Sequence, residues 1–193
     1  MMGPQRPKDP QLAGWFDQCD ELLVDVRELL APLTDAQVNW RAEAGRWSIG
    51  ECIDHLTATA GASGHFMGVA VDQARAAGRL GRGPFSYGWL GRWFLKQLDP
   101  ATGKKMKIPV ESFRPRSGLS CGRVAGEFEG GQVNFQRLLE AADGLDLGRV
   151  KARSAASSML KLNLAAWFES TILHERRHIL QAKQVLTSPG FPQ

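Results

Sequence analysis

Residues 10–30, PQLAGWFDQCDELLVDVRELL, set Leu12, Trp15, Phe16, Cys19, Leu22, Leu23, Val26, Leu29 and Leu30 at steps of three and four. That spacing gathers the apolar side chains on one face of an α-helix. Asp9-Pro10 supplies its start and Pro32 its stop. Downstream, Thr34 to Gly45 reads as a short polar turn. Ser48-Ile49-Gly50-Glu51 then has the S-x-x-E form of a capping box, and a second helix follows through Cys52, Ile53 and Leu56 to about Ala77. Its middle, Thr59 to Gly68, is rich in small residues, which permit close helix contact but lower intrinsic helicity.

Gly78 to Gly118 reads as a long insertion, with a short aromatic helix around Tyr87 to Leu98 and a basic loop containing Pro109 and Pro115. A third long helix is expected from about Ser120 to Ala142, interrupted at Gly130-Gly131. Asn163 is a good N-cap for a last helix, Leu164 to Leu186, which Pro189 follows. No strand-like alternation stands out. The expected fold is therefore all-α: one domain over residues 1–193, built as a four-helix bundle with an insertion at about 79–117 between its second and third helices.

A chain of 193 residues, 43% hydrophobic and 23% charged, suits one ordinary globular domain. No apolar run approaches the roughly 20 residues of a membrane span, so no membrane partner is expected. Met1 to Pro10 is polar and proline-rich rather than signal-like. Cys19, Cys52 and Cys121 are widely spaced and form no CxxC pair, which fits reduced thiols. Together these point to a cytoplasmic protein. The net charge of +4 is largely local, since nine Lys and Arg fall between Arg79 and Arg116 against Asp99 and Glu111. A local excess is no basic stripe, so nucleic acid is an unlikely partner.

The chemistry centres on histidine. His174-Glu175-Arg176-Arg177-His178 places two imidazoles four residues apart, on one face of the last helix. Such a pair is either half of a metal site or two surface histidines on a charged turn. The segment also matches H-E-x-x-H, the zinc-protease signature. That reading needs a further ligand, usually downstream, and Ile179 to Gln193 contain no Asp, Glu, His or Cys. A third ligand must then come from upstream, where His55 is the better candidate. His65 lies ten residues on, about 80° round a straight helix.

Arg46-Trp47-Ser48-Ile49-Gly50-Glu51, followed by His55-Leu56, resembles the second-helix signature of the DinB/YfiT-like superfamily of metalloenzymes. His174 to Gln181 resembles its last-helix H-x-x-x-H motif, and Lys105 to Pro109, with Phe113-Arg114-Pro115 after it, resembles a loop of some members. The likeness implies a bundle in up-down-down-up order, often a homodimer, with a divalent metal held by His55, His174 and His178. It also implies a function, because characterised relatives include S-transferases that use low-molecular-weight thiols such as bacillithiol or mycothiol, and a thiol-dependent isomerase. The long basic insertion and Gly130-Gly131 depart from the family pattern.

Three imidazoles leave a coordination position open for water or a thiol, with zinc or nickel the expected ion. Because each must sit about 2.0–2.1 Å from a shared zinc, the three ligating nitrogens are expected within about 3–4 Å of one another even without metal. Glu51, Ser170 and Gln181 fall at helical spacing from the ligands and are candidates to orient them, whereas Asp54 and Glu175 turn about 100° away. The basic insertion either binds carboxylates of a thiol cosubstrate or acidic substrate, or is a solvated loop. Phe85, Tyr87, Trp89, Trp93 and Phe94 are expected to pack over the bundle. The leading expectation is transfer of a low-molecular-weight thiol to a small electrophilic substrate. The alternatives are a metal-dependent hydrolase and a non-catalytic dimeric bundle with a structural metal site.

Overall fold

The computed structural model describes residues 3–99 and 110–193. In chain order its helices are α1 (Pro10–Leu30), α2 (Asp35–Asn39), α3 (Ile49–Ala76), α4 (Gly88–Leu98), α5 (Cys121–Ala142) and α6 (Leu164–Leu186). A 3₁₀ turn at Glu111–Phe113 precedes α5, and two short strands, β1 (Lys151–Arg153) and β2 (Lys161–Asn163), precede α6. The described residues are thus mostly helical.

The helix starts are set by side chains that satisfy otherwise unpaired backbone amides. Asp9 accepts from the amides of Gln11 and Leu12, and Asn163 accepts from that of Ala166. Ser48 and Glu51 form a reciprocal capping box at the start of α3. The long helices then bury their apolar faces together. α1 packs on α5 and α6, and α3 packs on the same two helices. Leu12, Leu22, Ile53, Phe128, Leu139, Phe168 and Ile172 are fully enclosed in the resulting core. α4 lies on α6, where Gly91 makes the approach possible: a Cβ there would come within 2.9 Å of the Ala166 side chain.

Several sequence expectations are corrected. Thr34 to Gly45 is not only a turn, because Thr34 and Gln37 form a second capping box that starts α2. α5 runs unbroken through Gly130 and Gly131. No other element approaches either glycine, while Phe128, Gln132 and Phe135 of the same helix are buried, so core packing overrides a propensity cost of about 1 kcal/mol each. The two strands were not expected; they pair antiparallel, Lys151 opposite Asn163 and Arg153 opposite Lys161. The aromatic set divides: Phe85 is buried and Phe94 meets Trp167 edge-on, but Trp89 and Trp93 are 75% and 56% exposed. Lys104, Lys105, Lys107 and the Lys105-to-Pro109 resemblance lie outside the described residues. Among the described residues no helix is long and apolar enough to cross a membrane.

Candidate metal centre

Two helices build the site. Capped at Ser48, α3 carries His55 in its second turn, and α6 carries His174 and His178 one turn apart. The packing of α3 on α6 brings the three rings together: the centroid separations are 5.2 Å for His55–His174, 4.7 Å for His55–His178 and 4.6 Å for His174–His178. One ligand nitrogen from each ring lies within 4.8 Å of the others, so the cluster could hold a metal ion. That spacing is wider than the expected 3–4 Å, and a shared ion at bonds of about 2.0–2.1 Å would draw the nitrogens closer by about an ångström.

The protonation states suit a metal ligand set. Burial, then the neighbouring His55 and Arg177, lower the pKa of His174 to about 3. Burial, then His174, His55 and Arg177, lower that of His178 to about 2. His55 is lowered too, chiefly by burial. All three are therefore neutral near pH 7, the form that binds metal. His178 Nδ1 is buried without a hydrogen-bond partner, leaving a polar atom for an ion to satisfy. His55 Nδ1 lies 2.5 Å from the Phe113 carbonyl oxygen. A carbonyl only accepts, so Nδ1 carries the proton and Nε2 keeps the lone pair.

The other expected residues divide. Gln181 lies close enough to the His178 ring to favour its protonated form slightly, against the larger effect of burial. Ser170 donates its hydroxyl to the Trp167 carbonyl. Glu51 is occupied by the Ser48 amide, Arg41 and Ser117. Asp54 turns to Arg116, and Glu175 points into the core beside Gln132. Burial pushes the Glu175 carboxyl up to about 8, so near pH 7 it is largely protonated. His65 is exposed and stacks edge-on against Phe66, outside the cluster.

Sequence reasoning assigned no role to Trp47 or Phe113. Trp47 lies over two of the imidazoles, its ring 4.8 Å from His55 and 5.6 Å from His178. Its place next to the Ser48 cap was the available signal. Phe113 acts through a backbone carbonyl and left no side-chain signal.

A family model described as the DinB superfamily matches residues 18–182, a span containing all three histidines. The match covers most of the chain, which belongs to that superfamily. No curated protein and no solved structure matches it.

Proposed function

We propose that this member of the DinB superfamily is a metal-dependent enzyme that transfers a low-molecular-weight thiol to a small electrophilic substrate. The observation that carries the reading is the cluster of His55, His174 and His178, which no carboxylate or thiol of the described residues joins. Structural zinc sites are usually closed by four protein ligands, whereas three ligands leave a position for a reactant. A divalent ion there, zinc or nickel, supplies positive charge that favours the deprotonated form of a thiol or water.

In the transfer the thiol sulfur bonds to the electrophilic carbon. The bond to the leaving group breaks with its electron pair, and the thiol proton passes to water. The protein's part is positional: Phe113 fixes the His55 tautomer, and Trp47 covers one side of the rings. A hydrolase of the H-E-x-x-H kind would need Glu175 as its base. That carboxyl is 2% exposed and turned to Gln132, which disfavours a hydrolase of that kind.

The proposal includes a four-helix bundle in up-down-down-up order. α1 meets α6 start to start (Trp15 with Glu169) and end to end (Asp25 with Lys183), but its end meets the start of α5 (Leu30 with Cys121). It also includes a homodimer, supported by α3, where no residue between Leu56 and Met67 is buried.

The test is to incubate metal-loaded protein with a panel of thiols and electrophiles and detect conjugates by mass spectrometry. Metal-dependent conjugation is expected. Tight metal binding with no conjugation or hydrolysis would favour the non-catalytic bundle, and hydrolysis without thiol would favour the hydrolase.

A further inference from the structure

Asp54 precedes His55 on α3, so its side chain leaves the helix about 100° from the imidazole. It is 3% exposed, and its carboxylate is held by one residue. The Arg116 backbone amide donates to Oδ2 at 2.6 Å, and the guanidinium donates to Oδ1 through Nε at 3.1 Å and Nη2 at 2.5 Å. The Arg116 guanidinium also pairs with Glu127 on α5. The next residue continues the attachment, since Ser117 Oγ donates to Glu51 at 2.8 Å. Gly118 donates its amide to Asn39 Oδ1 at 2.9 Å, and the Asn39 amide donates back to the Leu119 carbonyl at 2.8 Å. Residues 116–119 are thereby fastened to the first turns of α3 and to α2.

Three residues before Arg116 stands Phe113, whose carbonyl accepts the hydrogen bond from His55 Nδ1. We infer that Arg116, clamped on Asp54, is a positioning residue of the histidine cluster: it holds the Phe113 carbonyl on His55 Nδ1 and so keeps Nε2 free to bind metal. One turn of α3 thus presents a ligand on one face and the anchor for that ligand's hydrogen-bond partner on the next. Charge makes the clamp selective. A carboxylate buried this deeply is strongly destabilised unless paired, so Asp54 holds the segment in the one arrangement that brings Arg116 to it. The inference rests on the metal reading for its consequence, but the tautomer is a property of the metal-free protein.

The experiment uses the full chain with Arg116→Gln, Arg116→Lys, Asp54→Asn and, as a control on the same segment, Arg114→Ala, whose partner Glu111 is exposed. Long-range ¹H–¹⁵N NMR of the metal-free proteins reads which nitrogen of His55 carries the proton, and circular dichroism reports folding. Chelator competition measures metal affinity. The wild type and Arg114→Ala should show one His55 tautomer, protonated at Nδ1. Arg116→Gln and Asp54→Asn should lose that signature and bind metal roughly ten- to a hundred-fold more weakly, the usual effect of removing an outer-shell partner. Arg116→Lys should recover part of both. Folded Arg116→Gln that keeps the Nδ1 proton and wild-type affinity would overturn the inference. A wild-type protein with the His55 proton on Nε2 would overturn it as well, and if Arg116→Gln unfolds, a folded Asp54→Asn that keeps the Nδ1 proton and wild-type affinity does the same. A wild type with the Nδ1 proton but no metal affinity would sink the metal reading and leave the positioning role standing.

Discussion

Replacing Glu175 with glutamine should stabilise the metal-free protein by an amount that grows as the pH rises. Glu175 is enclosed in the core, and burial lifts its carboxyl from an ordinary 4.5 to about 8. At 1.36 kcal/mol per pH unit, that displacement corresponds to about 5 kcal/mol favouring the neutral form. The folded pKa lies above the unfolded one, so the folded chain binds more protons between pH 4.5 and 8. Stability is therefore lost as the pH rises through that window. Below about 4.5 the term vanishes, and above about 8 it is fully paid. Glutamine has nearly the same shape, is uncharged throughout and can still bond Gln132. Urea denaturation of both proteins at pH 5, 6, 7 and 8, analysed by linear extrapolation, gives the difference. The histidines titrate identically in both proteins and cancel. The variant's advantage should widen by about 3–4 kcal/mol across the series. Parallel stability curves would refute the placement of Glu175 in the core.

Three further outcomes follow from the packing and the site. Binding of Ni²⁺ or Co²⁺ should quench tryptophan fluorescence through Trp47, which lies over two ligand rings, and Trp47→Phe should abolish that response though other tryptophans remain. Phe128→Ala should lower stability by about 3–5 kcal/mol in chemical denaturation, since it empties a fully enclosed core position. Light scattering at micromolar concentration should give twice the mass of the 21.2 kDa chain, and a monomer would end the homodimer proposal.

Local signals were legible in the sequence where they were self-contained. The Ser48–Glu51 box and the Asn163 cap fixed two helix starts because each needs only residues within one turn. The four-residue spacing of His174 and His178 fixed a common face for the same reason. Gly130-Gly131 misled because propensity is local while the buried Phe128 and Phe135 that hold the helix are not. The hairpin of β1 and β2 escaped because three residues are too few to show alternation. Asp54 was correctly turned away from the metal face, but its purpose depends on Arg116, sixty-two residues later. Glu51 stood at the spacing that would let it support His55, yet Arg41 and Ser117 take its carboxylate.

The central claim is that three histidines hold one divalent ion. Elemental analysis of protein purified without an affinity tag, alongside His55→Ala, His174→Ala, His178→Ala and His65→Ala, tests it most directly. About one zinc or nickel ion per chain is expected in the wild type and in His65→Ala, and a sharp loss in each of the other three. A wild-type protein that holds no divalent metal, or three alanine variants that retain it in full, would show that these histidines are not a metal site.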